Sequence, residues 1–419
     1  MQRLEDHTPE LIDAMTDGVQ GPVCLAVSGG SDSISLLDLA SGWSRQSGRN
    51  LLVLTVDHGL RPEAAGETEW VAETARALGH EAQILRWTPD KRSQSAARTA
   101  RHTLLAEAAR QAGAGVILLG HTQSDVIETL LMRLARPARL AGAVGPQPVS
   151  VSPVWPAGRD MLIGRPLIGW PRHLLRERLV QAGKSWVDDP SNISEAYERV
   201  RVRRLMERLD ACRLGSVTAD AMRLRALEDW RLAGLLRERV RVDEAGLIEA
   251  DLEGAPLSSP VFSRFLDTLI QTASGRSRTV PASSIEALGL EIGMGGPAGR
   301  ITLGGAWLQR RGETLLAGRD PGELKPGWVD GVWDGRYVRG GTVSSPEAAP
   351  FLVRHALPDT PFREIVSARI ALWSEALLRG ARLAMEIADL GDAGGRALPD
   401  AASEAGPDIA TKGRGEPLP

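Results

Sequence analysis

Val23–Leu39, VCLAVSGGSDSISLLDL, decides the fold. An apolar run (Val23, Cys24, Leu25, Ala26, Val27) stops at Ser28, two glycines follow, and Ser31, Asp32 and Ser33 open a stretch with apolar residues at Ile34, Leu36, Leu37 and Leu39. The pattern reads as strand, tight turn, helix. Gly29 and Gly30 allow positive φ and close approach of a ligand to the backbone. The first amides of the helix then point into the turn, where the helix dipole favours an anion. The stretch is neither GxxxxGK followed by Ser or Thr nor GxGxxG. Ser28, Gly29, Gly30, Ser31 and Ser33 make a cradle suited to pyrophosphate. Asp32, an anion beside phosphates, calls for a cation between them and so reads as a Mg²⁺ contact. The plainer reading of Asp32 is a helix cap.

Outward from this turn, short apolar strands alternate with amphipathic helices. Leu51–Val56 is a second strand, ending in Asp57-His58-Gly59-Leu60-Arg61, and Pro62 suits a helix start. Ala82–Trp87 is a third strand, and Ser95–Ala112 a helix carrying Arg98, Arg101 and Arg110. Val116–Leu119 is a fourth strand, followed by Gly120-His121-Thr122-Gln123 and a helix over Asp125–Ala135. Such alternation predicts a parallel sheet with helices on both faces. Ligands bind beyond the carboxyl ends of such strands, so SGGSDS, DHGLR and GHTQSD should line one cleft. Pro137–Gly164 reads as a Pro- and Gly-rich loop, Pro166–Gly183 as a helix, and Trp186–Asn192 (WVDDPSN) as a turn-rich link closing the first domain.

The chain has 419 residues, enough for two or three domains, and a formal charge of −3. That balance argues against a globally basic nucleic-acid binder, so any RNA contact must come from a local patch. One patch stands out: Arg199, Arg201, Arg203, Arg204, Arg208 and Arg213 crowd a short helical segment. Its plain alternative is a solvated face paired with Glu198 and Glu207. Only 4% of residues are aromatic, so recognition by broad base stacking is not expected. Two cysteines, Cys24 and Cys212, offer neither a zinc spacing nor a disulfide framework. No signal peptide or apolar run of membrane length is evident, which predicts a cytoplasmic protein.

The motifs SGGSDS, DHGLR, AARTAR, GHTQSDVIETLLMRLAR, RPLIG and WVDDPSN occur in that order over residues 20 to 205. Together they resemble the tRNA(Ile)-lysidine synthetase family of PP-loop N-type ATP pyrophosphatases. The resemblance implies ATP and Mg²⁺ as reactants, with free lysine and a CAU-anticodon tRNA(Ile) as partners. The wobble cytidine would be adenylated on its C2 oxygen, and lysine would then displace AMP. It implies Asp32, Asp125, Glu128 and Arg101 as catalytic residues. Asp57, Arg98 and His121 would join the loop in holding ATP, with Asp32 on the metal. The tRNA backbone would meet Arg199, Arg201, Arg203, Arg204 and Arg208. Family members are often dimers, so a homodimer is the assembly it suggests.

The sequence departs from the family's paired-acid pattern at Ser124, where an Asp is usual, and at His102, where an aromatic is usual. Rival readings are a PP-loop tRNA thiolase, which would want a cysteine pair, and a small-molecule amidotransferase-type synthetase, which would not need the Arg-rich segment. The expected organisation is a PP-loop domain over 1–195, an Arg-rich helical region over 196–241, an α+β region over 242–390 and a disordered tail over 391–419.

Overall fold

The computed structural model describes residues 2–59, 63–88, 94–135, 143–188, 198–277, 280–296, 299–323, 328–329, 331–343 and 362–395. Helix α1 (Gln2–Thr16) leads into β1 (Val23–Ala26), α2 (Ser31–Ser47), β2 (Leu51–Asp57), α3 (Ala64–Ala77), β3 (Glu81–Arg86), α4 (Gln94–Gln111), β4 (Val116–Leu119) and α5 (Gln123–Leu134). The strands are short and followed by turns, as the sequence predicts; β1, β2 and β4 are apolar, whereas the edge strand β3 is half polar and partly exposed. Pro62 lies outside the described residues.

Side chains alternate across the sheet as strand geometry demands. Val23 and Leu25 of β1 pack into one core with α1, α2, α3 and α5. Cys24, between them, faces the opposite core with Leu105 and Ala109 of α4. Burial raises the Cys24 thiol to about 12, so it stays a neutral core group.

The Pro137–Gly164 segment is not a plain loop. It supplies β5 (Val149–Val151) and β6 (Leu162–Gly164) to the sheet, whose order is β3-β2-β1-β4-β6-β5. β6 lies parallel to β4, and β5 closes the edge antiparallel to β6. Three-residue strands carry no periodicity of their own. They form here because β4 offers an open ladder edge, and Gly164 has no side chain where the Leu118 and Met15 side chains crowd. Pro166–Gly183 is helical only over α6 (Arg172–Gln181), which starts directly after Pro171. The strand order reverses direction at β1, which pairs with β2 on one side and β4 on the other. That reversal opens a crevice beyond the carboxyl ends of β1 and β4.

After the link come α7 (Glu198–Met206) and the long α8 (Ala211–Arg239), then β7 (Val240–Val242) and β8 (Ile248–Asp251). Helices α9 (Pro260–Ser274) and α10 (Ala282–Gly293) precede β9 (Ile301–Leu303), β10 (Ala306–Arg311) and β11 (Thr314–Arg319). The hairpin expected over 299–320 is β10–β11, turning at Gly312 with φ +60°. Strands β7–β11 form one antiparallel sheet over a core built by Phe262, Phe265, Leu269 and Ile292. A second small sheet holds β12 (Trp328–Val329), β13 (Val332–Trp333), β14 (Tyr337–Val343) and β15 (Phe362–Glu364). Helix α11 (Val366–Gly395) then returns to the first half. Its Ala376, Leu383 and Ile387 enter the same core as α1, and Arg379 donates to the carbonyls of Met15 (3.0 Å) and Asp17 (2.9 Å). The stretch expected to be a disordered tail is helical through Gly395; residues 396–419 lie outside the described residues.

Candidate active site

The SGGSDS turn is held by its own hydroxyls. Ser33 Oγ donates to the Gly30 carbonyl (2.9 Å) and accepts from the Ser28 amide (3.2 Å). Gly29 sits at φ +88°, and a Cβ there would press on Val71 and Val187. The Val187 amide donates to the Gly29 carbonyl (2.9 Å), so the start of the link, residues 186–188, lies back against the turn. Gly120, at the end of β4, has a local reason to be glycine. A Cβ there would lie 2.9 Å from the Asp32 carbonyl oxygen.

Asp32 opens α2 beside the turn, and Asp125 and Glu128 project one turn apart from α5. The adjacency of β1 and β4 brings the two helix starts together. All three carboxylates converge on Arg172, the first residue of α6. Its Nε donates to Asp32 Oδ2 (2.7 Å), one Nη to Asp125 Oδ1 (3.2 Å) and the other to Glu128 Oε1 (3.3 Å). Arg172 had no role in the sequence reading. A signal was available, since a cation in a helix's first turn opposes the dipole and signals a local cost accepted for another purpose. Its own amide donates to Ser124 Oγ (3.3 Å), so the departure at Ser124 supports the base of this arginine. One turn on, Arg176 donates to Ser31 Oγ (3.2 Å).

Asp125 caps its own helix with Oδ2, which accepts from the Thr122 amide (2.9 Å) and hydroxyl (3.0 Å). Burial raises its carboxyl, but Arg172 and the Thr122 bonds outweigh burial and hold it below the usual range. Burial acts the same way on Asp32 and there prevails over Arg172, leaving its carboxyl above the usual range. Glu128 is fully buried and accepts from Arg203 Nε (2.6 Å), with Arg199 Nε 3.5 Å from its other oxygen. Arg203 therefore reaches into the cleft, and Arg199, itself exposed, also reaches Glu128. Arg201, Arg204 and Arg208 are exposed.

A cationic group flanks the acids. Arg98 and Arg101 lie exposed on α4, while Arg165 is tucked beneath the cleft, donating to Gln147 O (2.7 Å) and Ser150 Oγ (3.0 Å). Burial and the charge of Arg98 lower the Arg165 guanidinium to about 10, and its buried Nε has no partner among the described residues. His121 joins this group. Burial first, then Arg165, Arg101 and Arg98, push its imidazole down to about 3 despite Asp125, so it is neutral at physiological pH. Asp57 is placed more plainly: Oδ1 accepts from the Gly59 amide (2.9 Å), an ordinary strand-end turn.

Among the described residues no group of three or more His, Cys, Asp or Glu is arranged to hold a metal ion by itself. One carboxylate beside a phosphate-type loop is nevertheless what Mg²⁺ needs when phosphate oxygens and water complete its shell. Asp32 fits that role.

A glycine-serine turn at a sheet reversal, backed by acids and flanked by arginines, defines an ATP-using enzyme of the PP-loop class. The family profile described as a PP-loop domain matches residues 4–209. The chain is 40% identical to the tRNA(Ile)-lysidine synthase of Hyphomonas neptunium, over 73% of this chain and 83% of that one. It is 35% identical to the enzyme of the same name from Caulobacter vibrioides (80% and 78% of the two chains) and from Rhizobium meliloti (89% and 83%). The chain belongs to the tRNA(Ile)-lysidine synthase family. A solved U34-tRNA thiolase from Methanococcus maripaludis overlaps it at TM-score 0.44 and 15% identity, over 54% of this chain and 78% of that one. That likeness is too loose to bear on activity. Among the described residues no helix is long and apolar enough to cross a membrane.

Proposed function

We propose that this enzyme joins free lysine to C2 of the wobble cytidine of a CAU-anticodon tRNA(Ile), using ATP. The C2 carbonyl oxygen attacks the α-phosphorus of ATP, and the bond to the departing pyrophosphate breaks. The amine of lysine then attacks C2, the C2–O bond breaks, AMP leaves, and the amine gives up a proton.

The observation that carries this reading is the convergence of Asp32, Asp125 and Glu128 beside the SGGSDS turn. Negative charge grows on the leaving pyrophosphate in the first step. The turn's amides would face that charge and lower the barrier without reorganisation, in a shape kept by the Ser33 hydroxyl bond to the Gly30 carbonyl. Mg²⁺, held through Asp32 and phosphate oxygens, would neutralise part of it. Arg98 and Arg101 would supply fixed positive charge from α4, with Arg165 beneath them. In the second step the incoming amine needs carboxylates, and Asp125 turns an oxygen into the cleft for it. Arg201, Arg204 and Arg208, which are exposed, would meet the tRNA backbone with a salt-dependent affinity.

The test is radiolabelled lysine incorporation into a CAU-anticodon tRNA(Ile), with Asp32→Ala as control. Lysine-dependent labelling and AMP release in the wild type, absent in Asp32→Ala, are expected. Wild-type protein that consumes ATP in the presence of the tRNA and lysine but leaves the tRNA unlabelled would overturn the reading in favour of another PP-loop chemistry.

A further inference from the structure

We propose that Arg172 is a displaceable resident counter-ion: in the free enzyme its guanidinium holds the position between Asp32 and Asp125 that a substrate cation must take, and it yields both carboxylates when the site loads. This rests on the reading of the cleft as the ATP and lysine site.

The contacts support exchange rather than permanent clamping. Arg172 meets three carboxylates with three different nitrogens, one bond to each, at 2.7, 3.2 and 3.3 Å. A sealed structural pair would instead use the two-pronged fork that matches one carboxylate. The side chain keeps 21% of its surface open, so water and ligands reach it. The three acids are also unequally dependent on it. Glu128 retains Arg203 and Arg199 if Arg172 withdraws. Asp32 and Asp125 have no other guanidinium among the described ion pairs.

Withdrawal of Arg172 therefore frees two carboxylates of the three. One adjoins the pyrophosphate turn and suits the divalent cation; the other lies on α5 and suits the substrate ammonium. Without a resident cation these carboxylates would repel one another in a half-buried cleft and take up protons instead. A guanidinium prevents this because it never deprotonates at working pH. Once released, the long side chain still starts beside the turn, at the first residue of α6, and its charge can meet the polyphosphate. The cleft then exchanges one set of ion pairs for another with little change in net charge.

The test is a titration of Mn²⁺ into the nucleotide-free, full-length protein, followed by electron paramagnetic resonance of free Mn²⁺. If Arg172 competes for Asp32 and Asp125, Arg172→Gln binds Mn²⁺ about tenfold tighter than wild type, an effect of one uncompensated charge. The gain disappears in Arg172→Gln combined with Asp32→Asn. Arg172→Lys keeps a charge but cannot fork to three acids, and gains roughly threefold. It stands in if Arg172→Gln does not fold. Unchanged or weaker Mn²⁺ binding in the soluble variants overturns the proposal, because removing a cation that competes for Asp32 and Asp125 must raise the affinity. The titration contains neither tRNA nor lysine. Its failure would leave lysine transfer standing, and absent lysine transfer would leave the titration result standing.

Discussion

Arg172 and Arg319 are both enclosed arginines with several oxygens in reach, and the molecule uses them in opposite ways. Arg319 is 1% exposed and grips Asp334 with both prongs, Nε to Oδ2 at 2.8 Å and Nη2 to Oδ1 at 2.9 Å. Two further donors go to the carbonyls of Gly305 and Glu323. Asp334 is held at φ +48°, a backbone position that the pair helps to fix. Four of its five N–H donors are spent and the side chain is closed off from water, so nothing can enter. Arg172 spreads single bonds over three acids in an open cleft. The difference separates a staple from a site: closure and two-pronged geometry serve stability, whereas openness and divided bonding leave room for a ligand to substitute.

The comparison can be broken in several ways. Asp32→Ala should lower lysine incorporation by roughly 10³-fold or more, because a charge met only in the loaded site is lost. Its thermal midpoint should stay close to wild type, since Arg172 keeps Asp125 and Glu128; a collapse in midpoint would make the acid cluster structural. Arg319→Ala should do the reverse. It strands the buried Asp334 carboxylate at about 3–5 kcal/mol, read by urea denaturation, while turnover per folded molecule holds.

A smaller effect concerns pH. Burial, then Arg101, Arg98 and Arg165, hold His102 at about 3, far under its ordinary 6.5, and its buried Nε2 has no partner among the described residues. His121 is depressed similarly. Below the ordinary imidazole range the unfolded chain binds protons that these folded imidazoles refuse. The stability tied to them is complete above 6.5 and drains as pH falls toward 3. His102→Phe removes one of the two groups and an orphaned polar atom. It should raise stability by about 1–3 kcal/mol and flatten the decline in thermal midpoint on the acid side. An unchanged acid slope would place a proton on folded His102. Least of all, Ser124→Asp puts an anion in the first turn of α5 and beside the α6 start, and should raise the midpoint by the equivalent of about 0.5 kcal/mol.

Most of the first domain was legible because its signals are local. A five-residue apolar run, a glycine pair and a helical repeat each lie within one element, and their alternation dictates a parallel sheet. The three acids were legible for the same reason: each sits a few residues past a strand end, where α/β sheets present their chemistry. β5 and β6 were not, because three residues have no period and their pairing energy comes from β4. The pairing of Arg199 and Arg203 with Glu128 was not legible either, because a helix face does not say which way its helix is docked.

The amino-acid order alone determined where the glycine-serine turn lies, which carboxylates accompany it and which family the chain resembles. All three depend on neighbours within a dozen residues or on motif order. Only the tertiary structure decided who neutralises those carboxylates. Asp32 and Arg172 are 140 residues apart, and they meet because β1 and β4 are adjacent and α6 docks beside them. Charge pairing in a cleft is settled by distance in space, and at that separation spacing along the chain carries no record of it.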